Sequence, residues 1–377
     1  MSNSSKQPEV ILLGASTRAA AGSARRAGWT PWCADLFADA DLQTIATVRR
    51  VPIDAYPLGL IDALAEAPQA PVIYTGALEN RPDLVARIDR TLWGNAPDVL
   101  RAIRAPSRWT QCLEAHALPC PAIAQEPRTT GRWLLKPRKS AGGSGIRIYA
   151  GQSFNPRTHF LQEWIDGVPC SAVFLGKEIS ADLLGVTQQL AGTPWLNAAG
   201  FHYAGNIGPL PLEPTTQARW LQLGAALTRS FCLRGLFGID AILRDGVPWP
   251  IEINPRYTAS VELLERGYLR PLLPLHRAVF EELPPPVVDA PIDSPTCGKA
   301  ILYARETFSF PKDGPWLAAV AHGRDGAEAD YADLPHAGEI LEQGRPVLTL
   351  YASGKTAAQC LEKLQEMAQA LDRRLWG

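Results

Sequence analysis

Gly238-Ile239-Asp240-Ala241-Ile242-Leu243, then Asp245-Gly246, then Pro250-Ile251-Glu252-Ile253-Asn254-Pro255-Arg256 spells out a β-hairpin in residues. Two apolar, β-branched runs flank a turn dipeptide. Three oxygen-bearing side chains sit inside those runs: Asp240, Glu252 and Asn254. Glu252 and Asn254 are two apart on one strand, so they share a face. Asp240 joins that face only if opposed residue numbers add to an even value. A strict two-residue Asp245-Gly246 turn would put Asp240 on the opposite face, so the spacing predicts a longer loop with a bulge. An all-oxygen set suits Mg²⁺ bridging phosphates rather than zinc. The plain alternative is a solvent-facing hairpin, but apolar residues flank the polar ones on both strands.

Two stretches upstream carry related chemistry. Leu135-Lys136-Pro137 precedes Gly142-Gly143-Ser144-Gly145-Ile146. A strand-borne lysine offers a point charge to phosphate oxygens. A glycine-rich loop brings its backbone N–H groups close to the same phosphates, because no Cβ blocks the way. No GxxxxGK[ST] occurs, so this is not a Walker A loop. Gln162-Glu163-Trp164-Ile165-Asp166-Gly167 ends an apolar strand in a carboxylate and a turn. Such a strand end can offer backbone groups to an adenine edge, with Glu163 beside it. Taken singly, a hairpin and a solvated strand end would explain these two stretches.

The rest of the chain organises around this centre. Val10-Ile11-Leu12-Leu13, Trp29 to Ala34 and Pro71 to Gly76 read as strands, alternating with helical runs at Arg18 to Ala27 and Arg81 to Asp89. That alternation predicts a doubly wound parallel sheet in an N-terminal α/β domain over residues 1–105. A second domain over 106–285 opens with a helix at Ser107 to Ala117 and then turns to strands. The proline-rich stretch from Leu283 to Pro295 reads as a linker. Residues 286–377 form a small α+β domain ending in an amphipathic helix from Thr356.

A chain of 377 residues exceeds one ordinary core. A formal net charge of −1 gives no reason to expect nucleic acid or an anionic membrane as partner. The seven dispersed cysteines lack any CxxC pair and fit a reducing, cytoplasmic compartment. The tail over residues 2–8 is not a signal peptide, and no apolar run is long enough to span a bilayer.

The order of Lys136-Pro137, the glycine loop, Gln162-Glu163 ending a strand, Asp240, then Glu252-x-Asn254-Pro255-Arg256 resembles the ATP-grasp superfamily of carboxylate–amine ligases. The resemblance covers most of the chain. Residues 297 to 377, with Gly298-Lys299-Ala300-Ile301 and Gly344-Arg345-Pro346-Val347, resemble the C-terminal domain of its purine-synthesis and biotin-carboxylase branch. It implies an N-terminal doubly wound sheet, a two-lobed ATP-grasp domain and a small C-terminal domain.

It further implies ATP with one or two Mg²⁺ ions, or Mn²⁺ in their place, held by Asp240, Glu252 and Asn254. Lys136 would contact the phosphates, and Gly142, Gly143, Ser144 and Gly145 would cover them. Gln162, Glu163, Trp164 and Ile165 would meet the nucleoside, and Arg256 would grip the transferred phosphate or the substrate carboxylate. Many members carry a lysine where this chain has Ser107-Arg108-Trp109, so Arg108 is the candidate to replace it.

The implied reaction phosphorylates a small-molecule carboxylate and couples it to an amine, releasing ADP and phosphate, with a homodimer as a common state. A carboxylase acting through carboxyphosphate and a non-catalytic nucleotide-binding protein are the rivals. Ala15-Ser16-Thr17-Arg18-Ala19-Ala20 more loosely resembles ATP-grasp proteins of one-carbon cofactor synthesis, such as tyramine–glutamate ligase. There Ser16, Thr17 and Arg18 at a helix N-terminus would face the cleft and could take an anion.

Overall fold

The structure, a computed structural model, describes residues 9–284, 286, 295–318, 320 and 329–377. The expected tail over 2–8 and most of the expected linker lie outside the described residues.

Three larger sheets and one two-stranded pair organise the described residues. Strands β1 (Glu9–Gly14), β2 (Thr30–Asp35), β3 (Thr47–Arg50) and β4 (Val72–Tyr74) pair in the order β3-β2-β1-β4, all parallel. Strand β1 is buried along almost its whole length, as a parallel strand covered on both faces must be. Leu13, Tyr74, Leu60, Leu84 and Leu100 fill one side of this sheet. On the other side, Val10, Leu12, Cys33 and Ile73 share a core with Val173, Leu236, Val261 and Leu264 from farther along the chain.

A small antiparallel sheet follows: β5 (Ile123–Ala124), β6 (Trp133–Pro137), β7 (Arg147–Ile148) and β8 (His159–Glu163), in the order β5-β8-β6-β7. The large sheet is antiparallel throughout. Its strands are β9 (Val168–Gly176), β10 (Ala181–Ala191), β11 (Tyr203–Gly208), β12 (Gly235–Arg244), β13 (Val247–Asn254) and β14 (Thr296–Tyr303). Strands β15 (Phe308–Ser309) and β17 (Ile340–Leu341) pair separately, whereas β16 (Tyr331–Ala332) and β18 (Pro346–Gly354) extend the large sheet. The full order is β13-β12-β9-β10-β11-β14-β18-β16. The C-terminal strands therefore continue the sheet that carries the Asp240–Glu252 hairpin.

Helices cover this sheet with the faces their sequences mark. In Pro214–Phe231, Trp220, Leu223 and Leu227 recur at helical spacing and pack on Phe174 and Phe237. Pro97–Ile103, Pro106–Ala115 and Pro214–Phe231 each start on proline, whose missing N–H costs nothing in a first turn. The helix Ala357–Trp376 is capped by Thr356, whose hydroxyl accepts the Gln359 N–H.

One buried ionic network ties the three parts together. Arg18, on the first helix, binds Glu262 and donates to Asp333 at 2.9 Å and to the Tyr351 hydroxyl at 2.8 Å. Glu262 also accepts Lys299 Nζ at 2.9 Å. Opposed charges on every side satisfy the desolvated Arg18, Glu262 and Lys299. Burial works to raise the Glu262 carboxyl, but Arg18 and Lys299 outweigh it and hold it well below the ordinary range.

Candidate active site

Asp240 and Glu252 lie directly opposite each other on β12 and β13, and Gly238 opposes Asn254. The even register expected for a shared face is present, but its cause differs from the expectation. The turn has two residues, Asp245 (φ 52°) and Gly246 (φ 70°), both left-handed as a tight hairpin turn demands. The parity changes farther in: Asp240 pairs with Glu252 and Ala241 with Pro250, so Ile251 is a bulge.

The bulge also frees a carbonyl. Ile251 O accepts Lys136 Nζ at 3.2 Å and Gln162 Nε2 at 3.2 Å. Lys136 donates in turn to Gln162 Oε1 at 3.0 Å. Gln162 is fully buried, so it braces the lysine from below. Burial lowers the Lys136 ammonium from its usual range, opposed by Glu252 and Asp240.

Asp240 is ringed by amides: Gln189 Nε2 donates to its Oδ1 at 2.9 Å and Asn254 Nδ2 to its Oδ2 at 3.0 Å. Burial, and then the neighbouring Glu252, push its carboxyl up to about 6. Burial acts the same way on Glu252, yet Arg104 and Lys136 prevail and hold that carboxyl below the ordinary range. Arg104 Nη1 donates to Glu252 Oε1 at 2.8 Å. The sequence pointed to Arg108, which the structure leaves exposed and away from the cavity. Arg104 lies just past the C-terminus of helix Pro97–Ile103, whereas Arg108 sits on the outer side of the next helix.

Lys136, Gln162, Gln189, Asp240 and Glu252 line one cavity of about 480 Å³. Its wall includes Lys136, Gln162, Glu163, Trp164, Ile165, Asp240, Glu252, Asn254 and Arg256. Gly142 and Gly143 form part of its roof, while Ser144 and Gly145 turn outward and are exposed. Gly142, Gly143 and Gly145 all have positive φ, at 59°, 76° and 75°. Gly142 O accepts the Tyr203 N–H at 3.0 Å, and Ser140 O accepts Asn80 Nδ2 at 3.2 Å. The glycine loop is thus pinned to the large sheet on one side and to the N-terminal domain on the other.

At the apolar end, the Trp164 ring meets Phe201 edge-on, with centroids 6.0 Å apart, and the Arg132 guanidinium lies over the Trp164 ring at 4.4 Å. Glu163 Oε2 accepts the Ala122 N–H at 3.0 Å, so this carboxylate fixes the strand end. At the opposite end, Arg256 Nε donates to Glu79 Oε1 at 2.7 Å.

Sequence reasoning missed Gln189, Glu79 and Arg104. Gln189 and Tyr203 lie on β10 and β11, strands that the sequence did not announce. Thr17 and Arg18 are not available to an anion as expected: Thr17 donates to Asp35 through its N–H at 2.6 Å and its hydroxyl at 2.7 Å, and Arg18 is consumed by the buried network. Among the described residues no helix is long and apolar enough to cross a membrane.

Residues 107–260 match the ATP-grasp domain family. An uncharacterized protein of Methanocaldococcus jannaschii is 26% identical over 221 residues, or 58% of this chain and 50% of that protein. The chain thus spans about half the length of that curated relative. An L-amino acid ligase from Bacillus licheniformis superimposes with a TM-score of 0.69 at 14% identity, covering 97% of this chain and 98% of that one. The biotin carboxylase domain of the Hydrogenobacter thermophilus 2-oxoglutarate carboxylase, solved with MgADP and bicarbonate, gives a TM-score of 0.69 at 12% identity, over 94% of this chain and 88% of that one. The segment over residues 107–260 thus resembles an ATP-grasp domain, and the chain shares the fold of these two enzymes.

Proposed function

We propose that this chain is an ATP-dependent ligase that converts a carboxylate to an acyl phosphate and couples it to an amine, releasing ADP and phosphate. One observation carries the reading: Lys136, Asp240, Glu252, Asn254 and Arg256 line a single cavity roofed by Gly142 and Gly143. In this reading Trp164, Ile165 and Phe201 hold the nucleoside, and Lys136 meets the phosphates. Arg256 lies at the other end, where its guanidinium can hold a carboxylate by a charge-assisted hydrogen bond.

The donor chemistry fits Mg²⁺. Two partly buried carboxylates stand opposed on neighbouring strands, with an amide beside them, and a divalent cation relieves their mutual repulsion. Asp240, Glu252 and Asn254 would hold the ion, which neutralises charge on the phosphates when bound. The chain's own residues align the two reactants and exclude water, which would otherwise hydrolyse an acyl phosphate. The site needs no protein nucleophile. The L-amino acid ligase and the carboxylase that share this fold are compatible with carboxylate activation. For the pathway we propose one-carbon cofactor synthesis, on the resemblance at Ala15 to Ala20.

The test is phosphate release over a panel of carboxylates paired with amines, pterin and furan precursors included. One-to-one ADP and phosphate, an amide product and ¹⁸O moving from the carboxylate into phosphate are expected. AMP with pyrophosphate, or no ¹⁸O transfer, overturns the acyl phosphate. Strict bicarbonate dependence would point to carboxyphosphate instead, and ATP binding without turnover to a nucleotide-binding role.

A further inference from the structure

The end of the cavity against the N-terminal domain holds polar atoms that the protein leaves unsatisfied. Glu79 is 1% exposed and lines the cavity. Its Oε1 accepts Arg256 Nε, but its buried Oε2 has no hydrogen-bond partner among the described residues. Thr258 Oγ1, on the same cavity wall, is likewise buried without a partner. A buried polar atom left bare is costly, so a carboxylate oxygen and a hydroxyl left so on one cavity wall mark a place where a ligand completes the bonding.

Arg256 is also only partly engaged. Its Nε serves Glu79 and its Nη1 serves Tyr257 O at 3.0 Å, while Nη2 has only a long 3.5 Å contact to Asn254 Oδ1. An anion acceptor and a cation donor, joined in one 2.7 Å ion pair, therefore border the same cavity with bonding capacity unspent. The complement is a ligand with an ammonium and a carboxylate equally close together. A phosphate-bearing ligand would meet repulsion from Glu79, and a simple carboxylic acid would leave Glu79 Oε2 bare.

We propose that Glu79, Thr258 and Arg256 form a subsite for the zwitterion of an α-amino acid. The ammonium donates to Glu79 Oε2 and Thr258 Oγ1, and the carboxylate accepts from Arg256 Nη2. This rests on the ligase reading and narrows it: the carboxylate to be phosphorylated belongs to an amino acid bound by both its charges.

The test uses the whole protein with Mg-ATP, hydroxylamine as the trapping amine, and hydroxamate as the readout. The twenty amino acids are compared with desamino counterparts, such as alanine with propionate and glutamate with glutarate. At least one amino acid is expected to react, with its desamino partner showing a KM higher by about 10- to 100-fold, the range for a lost charge-assisted hydrogen bond. Equal KM values for the two partners overturn the subsite without any variant being needed.

Glu79→Gln keeps a carbonyl oxygen for Arg256 but removes the charge, so it is expected to raise the amino acid's KM and leave the desamino partner's no higher, collapsing the preference. If Glu79 merely positions Arg256, both substrates weaken equally and the subsite is overturned. ATP-induced stabilisation checks that the variant is folded; should it fail to fold, the wild-type comparison decides. Hydroxamate from simple acids only overturns the subsite and leaves the ligase reading standing, whereas no hydroxamate from any acid despite ATP binding overturns both.

Discussion

The main-chain carbonyl of Ile251 accepts a hydrogen bond from the ammonium of Lys136 at 3.2 Å. That carbonyl is exposed by the bulge that also brings Asp240 opposite Glu252. One local irregularity in β13 thus sets both the acidic pair and the lysine that faces it.

Lys136→Ala removes an ammonium from this part of the wall. ATP affinity is expected to fall about 10- to 100-fold, the range for a lost hydrogen bond to a charged group. Lys363, on the exposed side of the C-terminal helix, donates to Ser353 O at 2.7 Å and serves as the control. Titration calorimetry with Mg-ATP compares Lys136→Ala with Lys363→Ala; equal losses would sink the assignment.

Gly143 is placed where no side chain fits. Its φ is 76°, and a Cβ there would come within 1.9 Å of the Phe201 carbonyl oxygen. Gly143→Ala should therefore lift the glycine loop away from the Tyr203 strand, raising the KM for ATP about tenfold at a cost near 1.4 kcal/mol. The loop is half-exposed and outside the core, so the melting temperature without nucleotide should stay put. An unchanged KM would show that the loop does not close over the nucleotide.

His276 predicts a pH dependence of stability. Its Nδ1 accepts the Leu236 N–H at 2.8 Å, and its Nε2 lies 3.0 Å from Trp93 O, so the neutral ring satisfies both partners. Burial lowers its pKa from 6.5 to about 4, against the opposing Trp93 carbonyl. A lowered folded-state value means the unfolded chain binds the proton first. The contribution is complete above about pH 6.5 and is lost as pH falls toward 4, amounting to about 3 kcal/mol. The slope of melting temperature against pH in this window should flatten in His276→Gln; an identical slope would exclude His276 as its source.

Much of this arrangement was legible in the sequence because apolar alternation around polar exceptions is a strong signal. The β12 and β13 runs, Lys136 and the Trp164 strand end were read directly. The loop of the hairpin was misread because the bulge at Ile251 leaves no compositional mark; Ile is an ordinary strand residue. Strands β10 and β11 escaped because Thr187-Gln188-Gln189 and the glycines of Tyr203-Ala204-Gly205-Asn206-Ile207-Gly208 break the alternation, and Gln189 went with them. Arg104 and Arg18 could not be placed because their partners, Glu252 and Glu262, lie 148 and 244 residues away. Such pairings are properties of the tertiary fold, and no local pattern encodes them.

Glu252 gives the most direct test of the acidic pair. Replacing it with glutamine keeps the shape and the Oε1 acceptor for Arg104, so the hydrogen bond can persist at reduced strength. What is lost is the negative charge facing Asp240, which helps to hold Asp240's carboxyl up near 6 after burial itself. In the folded protein without nucleotide, this removes one repulsion and one ion pair together. The half-exposed Glu252 side chain, at 33%, limits the stability change, so the melting temperature should move little. With Mg-ATP the balance differs. Two carboxylates can share a divalent cation, and one carboxylate with two amides cannot match that charge. Glu252→Gln should therefore lose at least about 100-fold in kcat/KM, or roughly 3 kcal/mol of transition-state stabilisation. Stabilisation by Mg-ATP should shrink with it, while stabilisation by ATP in excess EDTA should be unaltered. A variant that turns over near the wild-type rate would place the cation elsewhere.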